Sequence, residues 1–170
     1  SLIAMLKLAH DDHGRLPWAR LFEPAIRLAD SGFAVSPRLS RLITQAGERG
    51  RLRADFVTRA YFFNRDGTPL QVGQILRNPE YATTLRAIAE RGPAALQEGP
   101  IADAIVATAR RGPRGGSLTH ADLQAVAPRR LEPVCSGFRI YQICTTPAPS
   151  SGNAVLAILG LYERARPIPE

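Results

Sequence analysis

The chain has 170 residues, 45% of them hydrophobic, and a net charge of +7. This is the size of one ordinary domain with enough apolar mass for a packed core, which excludes a disordered tail. The longest apolar run, Ala154 to Leu161, is far shorter than the roughly 18–20 residues that cross a bilayer, and two cysteines are too few for a disulfide-built miniature fold.

Almost all of the positive charge is arginine, with Lys7 the sole lysine. The arginines are spread along the chain, as at Arg20, Arg27, Arg38, Arg59, Arg77 and Arg86. The local groups Arg110-Arg111-Arg114 and Arg129-Arg130 have no interleaved aromatics on which bases could stack. The excess therefore reads as a solvated face and an Arg- and Ala-rich codon bias of a high-GC bacterial source, not as a nucleic-acid interface. Position 1 is not Met, and no basic n-region or small-residue cleavage site follows. The expectation is a stretch cut from a longer chain.

Taken in order, Leu2 to His13 predicts a helix, with Ile3, Leu6 and Leu8 recurring and Gly14 as the stop. Trp18 to Asp30 predicts one helix kinked at Pro24, with Leu21, Ala25, Leu28 and Ala29 on one face and Gly32 past its end. Ser36-Pro37 is a cap followed by a residue preset for the first turn, so a helix should follow with Leu39, Leu42, Ile43 and Ala46 inward. Gly47 to Arg53 reads as a loop. Tyr61 to Phe63 reads as a short extended segment before a turn at Asn64-Arg65-Asp66-Gly67, and Thr68 to Leu76 as irregular. Asn78-Pro79 repeats the cap-then-proline signal and predicts a helix from Pro79 to Arg91, with Tyr81, Leu85, Ile88 and Ala89 inward and Gly92 as its end.

Pro93 to Gln97 suits one helical turn. Gly99-Pro100 opens another helix with Ile101, Ala104, Ile105 and Thr108 on one side, ending before Gly112-Pro113, and Arg114-Gly115-Gly116 is a loop. Thr119 with Asp122 is a relative of the capping box, and Leu118 can staple onto Leu123. From Arg130 to Thr146 the period shifts toward two, predicting a hairpin through Val134, Phe138, Tyr141 and Ile143. Thr146-Pro147-Ala148-Pro149 breaks the sheet, and Ser150 to Asn153 opens a last helix from Ala154 to Arg164, with Pro167 and Pro169 ending the order. The class is mainly α (α+β): about six helices and one late hairpin. No phosphate loop or dinucleotide fingerprint is present.

Several side chains invite a catalytic reading. Ser150-Ser151-Gly152 lacks the glycine before the serine and the partner His of a nucleophile elbow, and reads as a turn plus cap. Thr119 is better used as a cap than as a nucleophile, and Thr145-Thr146 runs into Pro147. His10-Asp11-Asp12-His13 brings two imidazoles near one face, but no third ligand is suggested and a polar helix end is the plainer reading. No cofactor or metal is assigned.

Four stretches line up in order with one family: Asp12-His13-Gly14-Arg15-Leu16-Pro17-Trp18 leading to Glu23-Pro24-Ala25-Ile26-Arg27-Leu28-Ala29 and Gly32-Phe33; Gly67-Thr68-Pro69-Leu70 with Asn78-Pro79 and Thr84-Leu85-Arg86-Ala87-Ile88-Ala89; Gly115-Gly116-Ser117-Leu118-Thr119 with Asp122-Leu123; and Arg139-Ile140-Tyr141 with Pro147-Ala148-Pro149-Ser150-Ser151-Gly152. Together they resemble the large subunit of γ-glutamyltranspeptidases. The resemblance implies the helical part of an N-terminal-nucleophile hydrolase αββα fold, and a precursor that cuts itself to free a Thr nucleophile. That Thr would move the γ-glutamyl group of glutathione and related amides to water or an amino acid. It also implies a periplasmic or extracellular parent.

The family's carboxylate-binding Arg matches a region before Ser1. Its catalytic Thr, paired serines and oxyanion glycines match a region after Glu170. The resemblance therefore assigns no catalytic, cofactor-binding or metal residue to positions 1–170, read as a single segment, and makes the rest of the precursor its partner. Ala148 and Asn153 stand where the family has Pro and Gly, Gln97-Glu98-Gly99 lacks its Tyr before Gly, and Ile140 replaces a Gly. These differences bring in the β-lactam side-chain acylases of the same family as an alternative. A basic helical binding module for an acidic partner is the alternative outside it.

Cys135 and Cys144 fall directly opposite each other, as a non-hydrogen-bonded pair, if the hairpin turns at Arg139-Ile140. Two readings stay open: a cross-strand disulfide in an exported protein, or two small buried thiols with a different turn, since no residue from Phe138 to Tyr141 takes positive φ easily.

Overall fold

The computed structural model describes residues 2–112 and 115–165. The predicted Pro113, Arg114, Pro167 and Pro169 features lie outside the described residues. The chain divides into two compact units, 1–127 and 128–170.

The first unit is helical. Its elements are α1 (Leu2–His13), a 3-10 helix (Trp18–Phe22), α2 (Glu23–Ser31), α3 (Pro37–Glu48), α4 (Arg51–Ala54), α5 (Phe56–Phe62), α6 (Pro79–Arg91), α7 (Ala94–Gln97), α8 (Pro100–Ala109) and α9 (His120–Gln124). Two short strands, β1 (Phe33–Ala34) and β2 (Ile75–Leu76), pair antiparallel with Phe33 opposite Leu76.

The predicted helix from Trp18 to Asp30 is two pieces. Pro24 sits in the first turn of α2, where its missing N–H costs nothing, so the proline starts a helix instead of kinking one. Its inward face is Ile26 and Ala29 with Phe22, not Leu21 and Leu28, which are exposed. Ala29, Ala82 and Leu85 form a buried cluster between α2 and α6. On α6 the inward residues are Ala82, Leu85 and Ile88, whereas the predicted Tyr81 is 54% exposed. On α8 they are Ala102 and Val106 in place of Ala104 and Thr108. In each case a buried alanine, which hydropathy patterning undervalues, sets the true face.

Two predicted loops are ordered elements. Gly47 lies inside α3, and a Cβ there would come 2.8 Å from Cζ of Phe63. The glycine is the seat for that ring and does not break the helix. Arg53 covers the ring with its guanidinium 4.4 Å from the centroid. The expected extended run at Tyr61 to Phe63 is instead the end of α5, because Asp55 caps that helix by accepting from the Thr58 N–H at 2.7 Å. Only Phe63 is extended, bridging Pro69. The irregular stretch before Asn78 contains β2, and its neighbours seat Val35: the Val35 N–H donates to the Gln74 carbonyl and the Gly73 N–H to that of Val35.

Three of the cap predictions stand. Ser36 Oγ accepts from the Leu39 N–H at 3.1 Å, Asn78 Oδ1 from that of Tyr81 at 2.9 Å, and Thr119 with Asp122 closes a reciprocal capping box. The Asn64 to Gly67 turn is present, with Gly67 at φ +81°. These hydrogen bonds hold three carboxyls below the usual range for aspartate. At Asp55 the Thr58 N–H dominates, at Asp66 the Thr68 hydroxyl, and at Asp122 the Thr119 hydroxyl.

The second unit is the predicted hairpin, β3 (Val134–Phe138) with β4 (Tyr141–Thr145), followed by α10 (Gly152–Arg164). Cys135 faces Cys144 and the two are joined by a disulfide, with Cα atoms 4.1 Å apart. Of the two readings left open, the disulfide holds. The turn takes the positive φ that its sequence does not favour, with Arg139 at φ +54°. The Arg139 N–H donates to a Glu163 carboxylate oxygen at 2.7 Å, which binds the turn to the last turn of α10.

Replacing Ile43, 2% exposed, by Ala is expected to lower stability by about 2–5 kcal/mol, read from the denaturant midpoint. Arg139→Gly is expected to raise the melting temperature, since it relieves roughly 1 kcal/mol of left-handed strain. The depressed Asp55, Asp66 and Asp122 contribute stability that is present above their unfolded pKa of about 3.9 and lost as pH falls through their lower folded values. Thermal midpoints should therefore drop in acid below about pH 4, and less steeply in Asp122→Ala.

Candidate functional site

Each side chain singled out in the sequence has a traceable place. His10 lies against Trp18, ring centroids 5.3 Å apart, and its Nε2 is 2.8 Å from the Leu16 carbonyl. A carbonyl can only accept, so the proton is assigned to Nε2. Nδ1 is buried without a hydrogen bond, 4.0 Å from the Asp11 carboxylate. Asp11 also pairs with Lys7 one turn back. His10 thus braces the α1 exit onto the indole, whose own Nε1–H donates to the Ile88 carbonyl of α6 at 3.0 Å. No cluster of three metal-capable side chains occurs among the described residues.

Thr119 is spent on its cap. Its neighbour His120 approaches Asp103 of α8 with Nε2 2.8 Å from Oδ1, both side chains being exposed. That pair ties α9 to α8. The same corner is closed by Gln97, whose Nε2 donates to the Leu123 and Val126 carbonyls, and by Arg110, whose Nε donates to that of Leu118.

In the second unit the segment between β4 and α10 is a tight turn. The Ser150 N–H donates to the Pro147 carbonyl at 3.1 Å, and the Ala148–Pro149 peptide is cis. Ser151 occupies the cap position of α10, but its side chain makes no capping hydrogen bond, so the expected cap is positional only. Gly152 is buried against the strand end: a Cβ on it would come 2.1 Å from the Thr146 carbonyl oxygen and 2.6 Å from Thr145 Oγ1. Only glycine permits that approach, and it fixes where α10 begins.

Beside this turn lies an open cleft of about 670 Å³ lined by Arg129, Leu131, Cys144, Thr146, Pro147 and Ser150, among others. No histidine lies in the same unit as its hydroxyls, since the three histidines of the chain are His10, His13 and His120. The cleft can hold a small molecule and offer it one guanidinium and hydroxyls; its described lining includes no histidine or carboxylate to activate a hydroxyl. The sequence marked Arg129 only as half of a basic pair, and nothing local announced that it would border the turn. A second cleft, of about 640 Å³, runs beside α5 and is lined by Phe56, Val57, Tyr61, Arg77, Pro79 and Glu80 among others, with Phe56 73% exposed.

On α10, Val155, Ile158, Leu161 and Tyr162 are exposed, while Leu156 and Leu159 are half-buried. No helix among the described residues is long and apolar enough to cross a membrane.

Residues 1–168 match the family described as gamma-glutamyltranspeptidase. The glutathione hydrolase proenzyme of Arthroderma benhamiae is 36% identical over 156 residues, covering 92% of this chain and 26% of that protein. The acylase ACY 1 proenzyme of a Pseudomonas species is 37% identical over 151 residues, covering 88% of this chain and 26% of that one. The crystal structure of Helicobacter pylori gamma-glutamyltranspeptidase superposes with a TM-score of 0.86 at 28% identity, over 96% of this chain and 46% of that chain. The chain thus spans about a quarter of the length of these two curated relatives. The match across nearly all of its length, with a shared helix-rich fold, shows that the chain belongs to the gamma-glutamyltranspeptidase family.

Proposed function

We propose that residues 1–170 are one segment of the large subunit of a γ-glutamyl acyltransferase or hydrolase, and that this segment supports an active site whose working groups lie elsewhere in the precursor. The parent would take the γ-glutamyl group of glutathione or a related amide onto a Thr freed by self-cleavage, then pass it to water or to an amino acid. Family membership over about a quarter of the relatives' length carries this reading. Two features of the chain support it. The acids with depressed pKa, Asp55, Asp66 and Asp122, are all committed to caps and turns. The exposed apolar row on α10 is the kind of surface that the rest of a precursor would cover. The Cys135–Cys144 disulfide supports a periplasmic or extracellular parent.

A second reading, an acylase acting on the side chain of β-lactams, is favoured by Ala148 in the proline-rich turn, by Asn153 in the first turn of α10 and by the 37% identity to an acylase proenzyme.

The decisive assay uses the full-length parent. We expect it to split into two chains on a denaturing gel and to hydrolyse a γ-glutamyl anilide, while the 170-residue chain alone turns over nothing. Release of product by the isolated chain would overturn the supporting role. A parent that cleaves itself and hydrolyses a cephalosporin side chain but no γ-glutamyl anilide would favour the acylase.

A further inference from the structure

We propose that the Cys135–Cys144 disulfide is a thiol-exchange site, entered through the adjoining cleft by a small thiol that carries a carboxylate. Both cysteines are exposed. Cys144 forms part of the wall of the cleft of about 670 Å³, whereas Cys135 does not. That volume lies within the usual range of small-molecule sites, and Leu131, Pro147 and neighbouring groups make its wall largely apolar. Arg129, also exposed, supplies the one formal charge of the lining.

Exchange proceeds by attack of a thiolate on one sulfur of the pair, with the other sulfur leaving. A thiolate that comes in through the cleft meets Cys144. A bond forms between the incoming sulfur and Cys144 Sγ, the Cys135–Cys144 bond breaks, and its electron pair leaves on Cys135 as a thiolate. A second molecule of the same thiol attacks the incoming sulfur, departs as the small-molecule disulfide, and leaves Cys144 as a thiolate. Two small thiols are oxidised and one protein disulfide is reduced; the protein thiolates take protons from water. The Arg129 guanidinium attracts the carboxylate of an anionic thiol and gives it an advantage over a neutral one of the same shape.

The product has a structural consequence. Cys144 adjoins Thr145, whose side chain packs on Gly152 at the start of α10. Opening the bond releases the strand end that sets this junction. The inference concerns the chain's own sulfur chemistry and does not depend on which amide the parent cleaves.

The test treats the oxidised 170-residue chain with N-acetylcysteine or with N-acetylcysteine amide, which lacks the carboxylate, at equal thiolate concentration. Peptide mass mapping locates the first mixed disulfide, and its initial rate is measured. The adduct is expected on Cys144, forming about two- to five-fold faster with the carboxylate-bearing thiol, the range of an exposed ion pair. Arg129→Ala and molar salt should both remove that difference, and Arg129→Lys should keep most of it. An adduct on Cys135, equal initial rates for the two thiols, a preference that survives Arg129→Ala, or a disulfide that neither thiol opens would overturn the proposal.

Discussion

The approach of α2 to α6 through alanine is the contact on which the helical unit depends. Ala82 has no exposed surface and Ala29 almost none, so the two backbones come close and any added methylene would push them apart. The surrounding contacts are aligned by that closeness. Phe22 and Ile26 fill the flank, the Trp18 indole reaches the Ile88 carbonyl, the Asn78 N–H donates to the Ala29 carbonyl, and Arg86 meets Asp30 across the seam. Val35, directly after β1, and Ile43 of α3 are the largest fully buried side chains among the described residues. Ser40 Oγ donates to the Leu70 carbonyl and satisfies the buried hydroxyl.

Residues 128–165 hold together by other means. Among their described members only Gly152 is buried, so little apolar surface is removed from water within the unit. A covalent bridge, the Arg139–Glu163 bond and a ring contact of 6.5 Å between Phe138 and Tyr162 do what a core would do elsewhere. The outward row on α10 adds exposed apolar surface of the kind that marks an interaction site. This agrees with a chain that spans about a quarter of its relatives.

Much of this was legible because the chemistry is local. Ser36-Pro37, Asn78-Pro79 and Thr119 with Asp122 announced helix starts, and all three are present. Of the two hairpin readings left open, a turn at Arg139-Ile140 sets the cysteines opposite each other, and they do face each other. What failed depended on distant partners. Gly47 looked like a breaker because its reason, the Phe63 ring, lies sixteen positions away in sequence. The β1–β2 pair was invisible because two-residue strands carry no period. The inward face of α6 was drawn toward Tyr81, since patterning rewards large apolar residues and a close helix contact selects small ones such as Ala82; on α8 the face is turned to Ala102 and Val106. Arg129 offered no local sign of its cleft.

The bridge in the hairpin closes a sequence separation of nine residues. Short-range contacts of this kind form early, because little chain entropy is lost in closing the loop. The two sulfurs lie so near in sequence that strand pairing alone can bring them side by side before more distant contacts form. The bridge can therefore be set from local pairing alone, leaving a pre-stiffened ribbon against which α10 settles.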